Sequence, residues 1–414
     1  MSEGLDDWGG TEFVLAADRL DTPDVIQAAD PGDMLRQVAS AAAQVRTALR
    51  SCQETDLSSF TPEVRPRAIV AAGLGSSGIA GEMLHALVGL SSPVQVVASP
   101  GGRLPGWVGA ADVVIAVSGS GTTTETLAIA AEAARRGCRL AGVGAEGSPL
   151  HRIAEQARAP FVPVAPAGLP RAMLWSLAIP LLVIGERLGV ARIEPDVYEL
   201  AASRLEEVSH QCRPTSESFV NPGKSLALDL AGALPVVWGT SELSGVAARR
   251  FAGQLSENAK YPAIAGVLPE AAYTQLAAFD GPFTPASRPP APGAGPEHPP
   301  HESSNGVPDL PDLAWDLDFD GTEAEASGFT ALRLVLITDA GLEQRVAAQR
   351  AAVTELADQR GIGLSELAMD GEHPLVRLAG VIQLTDYASV YLGIASGIDP
   401  GQAAAITELL ARIE

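Results

Sequence analysis

Short apolar runs alternate with helix-like stretches through the first half of the chain. The stretch after Arg65 contains RAIVAAGLGSSGIAGEML, which predicts a buried strand, a Gly/Ser turn and a helix in succession. Residues 111–117 predict a second strand, followed by the turn SGSGTTTET and by the helix LAIAAEAARRG, which ends at Gly137. Residues 140–143 begin a third unit. Such alternation predicts parallel βαβ units, whose ligands bind at the carboxyl ends of the strands.

The second half of the chain repeats this pattern. After Leu234 it reads VVWGTSELSGVAARRF, which shares the spacing G-[ST]-S-x-[IL]-[AS]-G with the first unit. Further strands are predicted at residues 332–338 and 363–369, and a long helix is predicted from Pro374. The predicted fold class is therefore α/β, with two related lobes that each contain a doubly wound parallel sheet with flanking helices.

The chain divides into four predicted parts. Residues 1–60 form an N-terminal helical arm, 61–190 the first lobe with the Gly/Ser loops, 191–222 a helical connector and 223–414 the second lobe. Within the second lobe, residues 282–327 are rich in proline and acidic residues, so we expect a disordered surface insertion there. Its patch LAWDLDF is either part of a solvated loop or a segment that docks on a lobe or a partner.

One apolar segment, PRAMLWSLAIPLLVIGERLG, has the length of a membrane span. It is apolar nearly all round and contains a proline, which favours a buried, kinked helix between layers. Arg171 lies at one end of the segment, and Glu186 and Arg187 lie near the other, which argues against insertion into a membrane. We therefore expect no membrane association.

The charge of the chain narrows the range of partners. The formal net charge is −22 and the pI ≈ 4.6, and lysine occurs only at Lys224 and Lys260. Such a protein repels phosphate backbones, so nucleic acid is not expected as a partner. A Schiff-base mechanism has few amines available, and a buried anion site would use arginine.

The cysteines and the N-terminus point to a reducing compartment. Cys52, Cys138 and Cys212 are scattered and odd in number, without the spacing of a zinc site, so we expect reduced, structural thiols and no bound metal. The N-terminal MSEGLDDWGGTEF is acidic and lacks a secretory pattern. We expect a cytoplasmic protein that needs no cofactor.

The two first-lobe turns carry the residues of an anion site. Hydroxyls and backbone N–H groups that converge on a helix N-terminus bind phosphate well. In the second turn, Gly119 and Gly121 let a ligand approach the backbone, and Ser76 and Ser77 of the first turn reach the same sheet edge. The alternative is an ordinary helix cap, which needs a single hydroxyl. The hydroxyl residues of the second turn are Ser118, Ser120, Thr122, Thr123 and Thr124.

These motifs carry a family resemblance. The loops GLGSSGIAG and VSGSGTTTET resemble the SIS (sugar isomerase) phosphosugar-binding signature. The segment RRFAGQLSENAKYPAIAGVLPE resembles RxxxQLNENSKxPA followed by PELNHNE, and LTDYASVYLGIASGIDP resembles GDYVSxYLALLNGVDP. With GLPRA near Gly168, these segments identify the chain as a divergent member of the SIS-domain bifunctional phosphoglucose/phosphomannose isomerases, with altered catalytic residues.

The resemblance implies roles for individual residues. Arg171 matches an arginine that stabilises an enediolate, or it forms a structural salt bridge. Glu257 matches the proton-shuttling glutamate, or it is a solvated helix-end carboxylate. Tyr273 stands where the family has its ring-opening histidine, and a phenol is a poorer proton shuttle near neutral pH than an imidazole. The residues that match the family's phosphate loops are Gly75, Ser76, Ser77, Ser118, Ser120 and Thr123.

Further changes leave the function open. Gly401 replaces a family threonine and Glu408 a family lysine, while His373 is either a substitute for the lost histidine or a helix cap. One hypothesis is an isomerase that converts glucose 6-phosphate or mannose 6-phosphate to fructose 6-phosphate through a cis-enediol. The alternatives are a non-catalytic hexose-phosphate sensor or regulatory protein and a purely structural protein. The resemblance also implies a homodimer.

Overall fold

The computed structural model describes residues 17–165, 168–285 and 330–413. The first 16 residues of the predicted arm lie outside the described residues. Most of the predicted insertion, residues 286–327 with the LAWDLDF patch, lies outside them as well.

The first lobe is built on a parallel sheet of strand order β2-β1-β3-β4-β5. Its central strands β1 and β3 are fully buried and mostly apolar, as expected for a parallel sheet that is covered on both faces. The strands are β1 (Ala68–Ala72), β2 (Gln95–Ser99), β3 (Val113–Ser118), β4 (Arg139–Gly144) and β5 (Phe161–Pro163).

The second lobe contains a parallel sheet of strand order β7-β6-β8-β9, which repeats the order of the first four strands of the other sheet. The direction of winding reverses between β1 and β3 in the first sheet and between β6 and β8 in the second. Ligands of such folds bind beside that point. The predicted α/β fold with two parallel-sheet lobes is confirmed. The strands are β6 (Leu234–Gly239), β7 (Ile264–Val267), β8 (Leu332–Thr338) and β9 (Gly363–Ala368).

Helices cover both sheets and connect the lobes. The helices that precede the first sheet are α1 (Ala17–Leu20), α2 (Pro23–Ala29), α3 (Met34–Ala39) and α4 (Ala41–Glu54). Those of the first lobe and the connector are α5 (Ser76–Val88), α6 (Thr124–Arg135), α7 (Pro149–Ala157), α8 (Leu174–Arg187) and α9 (Pro195–Gln211). The remaining helices among the described residues are α10 (Pro222–Leu230), α11 (Glu242–Gln254), α12 (Glu270–Thr274), α13 (Gln344–Gln359), α14 (Pro374–Ala395) and α15 (Ala404–Ile413).

A shared apolar core lies between the two sheets. Strand residues alternate in direction, so Ile115 of β3 and Val335 of β8 face this shared core, together with most of α8 and α14. Their neighbours Val114 and Leu334 face separate outer cores on the far side of each sheet. The lobes are therefore joined by buried apolar packing as well as by the chain.

The apolar segment at residues 170–189 forms the predicted buried helix, α8, with Pro180 inside it. A second helix, α14, is long and apolar enough to span a membrane by length and composition, and 94% of its most apolar window is buried inside the protein. Both helices thus have the surroundings of core helices. The three cysteines are free and buried, and burial raises the pKa of the Cys52 and Cys212 thiols to about 12.

Candidate functional site

The first Gly/Ser turn connects β1 to α5 at the carboxyl edge of the sheet. Gly75 precedes the helix at φ 55°, a left-handed backbone that favours glycine. Ser76 and Ser77 are the first residues of α5; Ser76 is half-buried and Ser77 is buried. Since Gly75 has no side chain, the N-terminus of α5 has no side-chain cap.

The second turn connects β3 to α6 and contains a network of hydroxyls. Ser118 is buried, accepts a hydrogen bond from the Gly121 N–H over 3.0 Å and lies 2.9 Å from the hydroxyl of Thr123. Ser120 is exposed, and its hydroxyl lies 2.8 Å from that of Thr122. Ser118 therefore shapes the loop, while Ser120 and Thr122 face solvent.

Gly121 is also required by the local backbone, in addition to the ligand approach that the sequence predicts. Its φ is 67°, and a Cβ at this position would meet the Ser148 hydroxyl at 2.0 Å. The glycine is therefore required by the left-handed backbone and by the neighbouring turn. Gly119 leaves more room, since its Cβ would lie 3.8 Å from Leu177.

The N-termini of α5 and α6 lie at the same edge of the sheet, because they follow the adjacent parallel strands β1 and β3, which pair Ala72 with Ala116. Thr123, the residue before α6, makes no side-chain capping hydrogen bond. Helix N-termini carry N–H groups without intrahelical partners and a partial positive charge. Two such ends beside several hydroxyls form a surface suited to an anion.

Arg171 lies in the turn before α8 and is 7% exposed. Its Nε donates to Asn258 Oδ1 over 2.7 Å, and its Nη2 donates to the carbonyls of Pro400 and Gly401 over 2.5 and 2.9 Å. Among the residues that the structure describes, no hydrogen-bond acceptor meets Nη1. Burial lowers the pKa of this guanidinium, and the negative charge of Glu257 opposes that shift.

Glu257 lies on a π-helical turn, Leu255–Ala259, that continues α11. Such turns often occur at functional sites. Glu257 is half-buried and close enough to Arg171 for their charges to interact. The structure thus brings together the two residues to which the resemblance assigned the base and the electrostatic partner.

Lys260 fastens this turn to the C-terminal loop. It follows the π-helical turn with a left-handed backbone at φ 61°. Its ammonium donates to the carbonyls of Glu257 and Gln402 over 2.7 and 2.5 Å. One of the two lysines of the chain is therefore used to hold the backbone of the candidate site.

Arg250 was not assigned a role from the sequence, although it lies at the centre of this cluster. It is 4% exposed and forms a two-pronged ion pair with Asp386 of α14, at 3.0 and 2.6 Å. It also donates to the Arg171 carbonyl over 2.9 Å, and Gln254 donates to the same carbonyl over 3.2 Å. The four-residue spacing of Arg250 and Gln254, which places both on one helix face, was the available signal.

The contacts of Arg250 join the two halves of the candidate site. Its Nη1 reaches the Ser76 hydroxyl over 3.4 Å, a long hydrogen bond. A chain of contacts therefore runs from the first Gly/Ser turn through Arg250 and Arg171 to Asn258, next to Glu257. A cleft of ≈ 380 Å³ lies at the Gly401 end of these contacts, and its lining residues are Pro31, Gly32, Gln37, Gly168, Leu169, Asp399, Gly401 and Gln402.

Two of the altered family positions lie away from this chain of contacts. Tyr273 is 70% exposed on α12, and its hydroxyl accepts a hydrogen bond from Arg345. Glu408 is exposed on α15 and pairs with Arg412. Gly401, the third altered position, contacts the cluster through its carbonyl.

His373 is a helix cap in this structure. It precedes α14, and its Nδ1 accepts from the Leu375 N–H over 3.1 Å. Its Nε2 lies 3.3 Å from the carbonyl of Arg192. Both ring nitrogens thus have backbone partners, so the cap is the interpretation that the geometry supports.

The equivalent turns of the second lobe are filled by the protein itself. Ser241 and Ser244 form a capping box on α11. After β8, the neighbouring strand, Asp339 accepts from the Ser241 hydroxyl over 2.9 Å and pairs with Arg377 at 2.9 Å. A carboxylate of the chain thus occupies the edge at which the first lobe presents uncapped helix ends.

Comparison with other sequences gives a consistent set of relatives. Residues 219–413 match a family described as the bacterial phospho-glucose isomerase C-terminal SIS domain. A bifunctional phosphoglucose/phosphomannose isomerase of Caldicellulosiruptor bescii is 26% identical over 333 residues, which are 80% of this chain and 85% of the relative. One of Aquifex aeolicus is 30% identical over 220 residues, which are 52% of this chain and 63% of the relative.

Solved structures resemble the chain over nearly its whole length. A hypothetical protein from Thermus thermophilus aligns with a TM-score of 0.62 at 15% identity, over 97% of this chain and 94% of the other. The C-terminal domain of glucosamine-fructose-6-phosphate aminotransferase from Francisella tularensis aligns with a TM-score of 0.58 at 14% identity, over 89% and 98%. At these identities the likeness concerns the fold.

Proposed function

Because residues 219–413 match the phospho-glucose isomerase SIS domain and two bifunctional phosphoglucose/phosphomannose isomerases are similar to this chain, we propose that the chain belongs to that SIS-domain family and is a sugar-phosphate isomerase. The proposed reaction converts glucose 6-phosphate or mannose 6-phosphate to fructose 6-phosphate. The two relatives compared above carry that double activity in their names. The reaction needs neither a metal nor a cofactor, since only protons move between neighbouring carbons and oxygens.

The phosphate group binds, in this proposal, at the adjoining N-termini of α5 and α6. The support is the absence of side-chain caps there and the exposed hydroxyls beside them. An ordinary cap would direct the hydroxyl of Thr123 to the first turn of α6, whereas that hydroxyl lies 2.9 Å from Ser118. The proposed phosphate-binding residues are Gly75, Ser76, Ser77, Ser118, Ser120 and Thr123.

Glu257 is the proposed base. Its carboxylate takes the C2 proton of the open-chain aldose phosphate, the electron pair forms the C1–C2 double bond of a cis-enediol, and O1 gains a proton. Glu257 then returns its proton to C1 while O2 loses one to become the ketone oxygen. Arg171 stabilises the negative charge that develops on the oxygens, through Nη1, because Nε and Nη2 are held by the protein.

The observation that carries this proposal is the buried guanidinium of Arg171, which donates to Asn258 next to Glu257, while Arg250 connects the Arg171 backbone to Ser76 of the first hydroxyl loop. The test is a coupled assay with fructose 6-phosphate as the readout, on glucose 6-phosphate and mannose 6-phosphate. We expect turnover by the natural protein and its loss in Glu257→Gln. No turnover above that variant would refute the isomerase.

A non-catalytic hexose-phosphate sensor is the second candidate, and the exposed position of Tyr273 favours it. A tyrosine bound to Arg345 on the surface of its own chain is poorly suited to open a sugar ring. A sensor would be stabilised against heat by hexose phosphates without turning them over. Binding with no turnover would therefore replace the first candidate by the second.

We also propose that the protein is cytoplasmic and forms a homodimer. We further propose that the chain divides into four parts, with boundaries at residues 60, 190 and 222. Sedimentation of the purified protein tests the dimer. A single mass equal to one chain would exclude it.

A further inference from the structure

We propose that Arg250 is a positioning residue that directs the Ser76 proton toward a bound phosphate. This inference rests on the phosphate site of the proposed function. Its observations are the three partners of one buried side chain: Asp386 on α14, Ser76 at the start of α5 and the carbonyl of Arg171.

The hydrogen-bond chemistry of Ser76 decides what Arg250 can do. A hydroxyl has one proton to donate and two lone pairs to accept with, whereas a guanidinium only donates. Since Arg250 Nη1 donates to the Ser76 oxygen, the Ser76 proton must point to another acceptor. Ser76 is the first residue of α5, where the uncapped helix end faces the proposed phosphate, so a phosphate oxygen is the natural acceptor.

The charge balance shows that Arg250 does not act as a cation toward the phosphate. Its side chain is 3% exposed and that of Asp386 is 7% exposed, and the two form an ion pair at 2.6 Å. The pair is neutral as a unit, so its long-range attraction for an anion is small. Arg250 therefore acts by orienting its hydrogen-bond partners, because the planar guanidinium holds three acceptors in fixed positions.

Lysine is the informative replacement at this position. It keeps the positive charge beside Asp386, which avoids an unpaired buried carboxylate. Its single nitrogen cannot reach Ser76, Asp386 and the Arg171 carbonyl in the geometry of a guanidinium. Arg249 supplies a matched control, since it is the preceding residue on the same helix and also contacts α5, through Glu82 at 2.6 Å.

The experiment is a double-mutant cycle measured by calorimetry with inorganic phosphate and with glucose 6-phosphate. We expect Arg250→Lys to weaken binding about fivefold, the worth of one ordinary hydrogen bond. Arg249→Lys should leave binding unchanged. In a Ser76→Ala protein, Arg250→Lys should cause no additional loss, because the hydroxyl that it directs is gone.

The outcomes separate this inference from the proposed function. An equal loss on Arg250→Lys with and without the Ser76 hydroxyl, or no loss in either, overturns the positioning role while phosphate binding stands. A natural protein that binds neither ligand overturns the proposed phosphate site, and the inference with it. If Arg250→Lys does not fold, the uncharged pair Arg250→Gln with Asp386→Asn replaces it in the same cycle, and the same two results decide.

Discussion

The guanidinium of Arg171 donates from Nε to the side-chain oxygen of Asn258 over 2.7 Å, across the boundary between the two lobes. Asn258 is held in turn, because its amide donates to Ser389 of α14 over 2.9 Å. The residue next to Glu257 is therefore fixed by one residue from each half of the chain. A shift of either lobe would alter the distance between the proposed base and the proposed electrostatic partner.

Arg171→Lys is expected to lower kcat by about 10² to 10³-fold, the usual effect of removing a donor to a developing oxyanion. A lysine cannot satisfy Asn258, two carbonyls and a substrate oxygen at once. The measurement is steady-state kinetics on glucose 6-phosphate. Arg152→Lys is the control, since Arg152 is exposed and donates to the Gly147 carbonyl. An unchanged kcat in Arg171→Lys would leave Arg171 with a structural role only.

Ser118→Ala and Ser120→Ala should separate the shape of the second loop from its binding. Ser118 accepts from the buried Gly121 N–H, so its loss should lower the free energy of unfolding by about 1–2 kcal/mol. Ser120 is exposed, so its loss should change stability by less than about 0.5 kcal/mol and weaken phosphate binding about fivefold. Urea unfolding and calorimetry measure the two effects. Full phosphate affinity in both variants would contradict the anion site.

Lys260→Met should loosen the loop that contains Gly401. The ammonium joins the Glu257 and Gln402 carbonyls, and charged hydrogen bonds of this kind contribute about 1.5–3 kcal/mol. We expect faster hydrogen exchange at the Gly401 N–H, which donates to Asp399 over 2.7 Å. Lys260→Asn is the matched variant, because asparagine tolerates the left-handed backbone but cannot reach Gln402. If hydrogen exchange at the Gly401 N–H returned to its natural rate in Lys260→Asn, backbone strain would explain the effect instead.

Tyr273 offers a test at the position of the family histidine. Tyr273→Phe should change kcat by less than about twofold, because the lost contact is with Arg345 at the surface. Tyr273→His should raise kcat if ring opening limits the rate, because imidazole transfers protons near neutral pH. Kinetics on the closed-ring substrate measure both. A large loss in Tyr273→Phe would show that the hydroxyl takes part.

Asp112 gives a stability prediction far from the candidate site. Burial raises the pKa of Asp112, but hydrogen bonds from Arg67 and from the Gly109 N–H outweigh it, so the pKa lies below its usual range. Ionised Asp112 therefore stabilises the fold above its unfolded-state pKa, and this contribution is lost as the pH falls through its folded-state pKa.

Asp112→Asn should accordingly lower the free energy of unfolding by about 1 kcal/mol at pH 7, a modest value because Arg67 is exposed. The difference from the natural protein should shrink below about pH 4. Urea unfolding at several pH values measures it. If the difference in the free energy of unfolding grew as the pH fell, the pKa of Asp112 would be raised rather than lowered on folding.

The sequence predicted the buried strands better than the exposed ones. The bounds of β8 match the predicted residues 332–338, because an apolar run with a single arginine fits a covered sheet. Strands β2 and β7 were not predicted. They lie at sheet edges and are partly exposed, so their apolar patterns are weak, and only pairing with β1 and β6 defines them.

Distant contacts were beyond a reading of the sequence alone. Arg250 is separated from Ser76 by 174 residues and from Asp386 by 136, and no local pattern records either pairing. The loops themselves could be found, because their glycines and hydroxyls are contiguous in the chain. The sequence does not show which hydroxyl shapes the loop, because this depends on the bond from the Gly121 N–H to Ser118, which only the folded turn forms.

The Asp339 carboxylate affects how many phosphate groups each chain is expected to bind. The two lobes repeat one architecture, yet the second has an anion of its own fastened by Ser241 and Arg377. A phosphate ester titrated into the protein should therefore saturate at one equivalent per chain rather than two. Binding of the ester should stabilise the first lobe, because the second lobe already holds the Asp339 carboxylate at the equivalent edge.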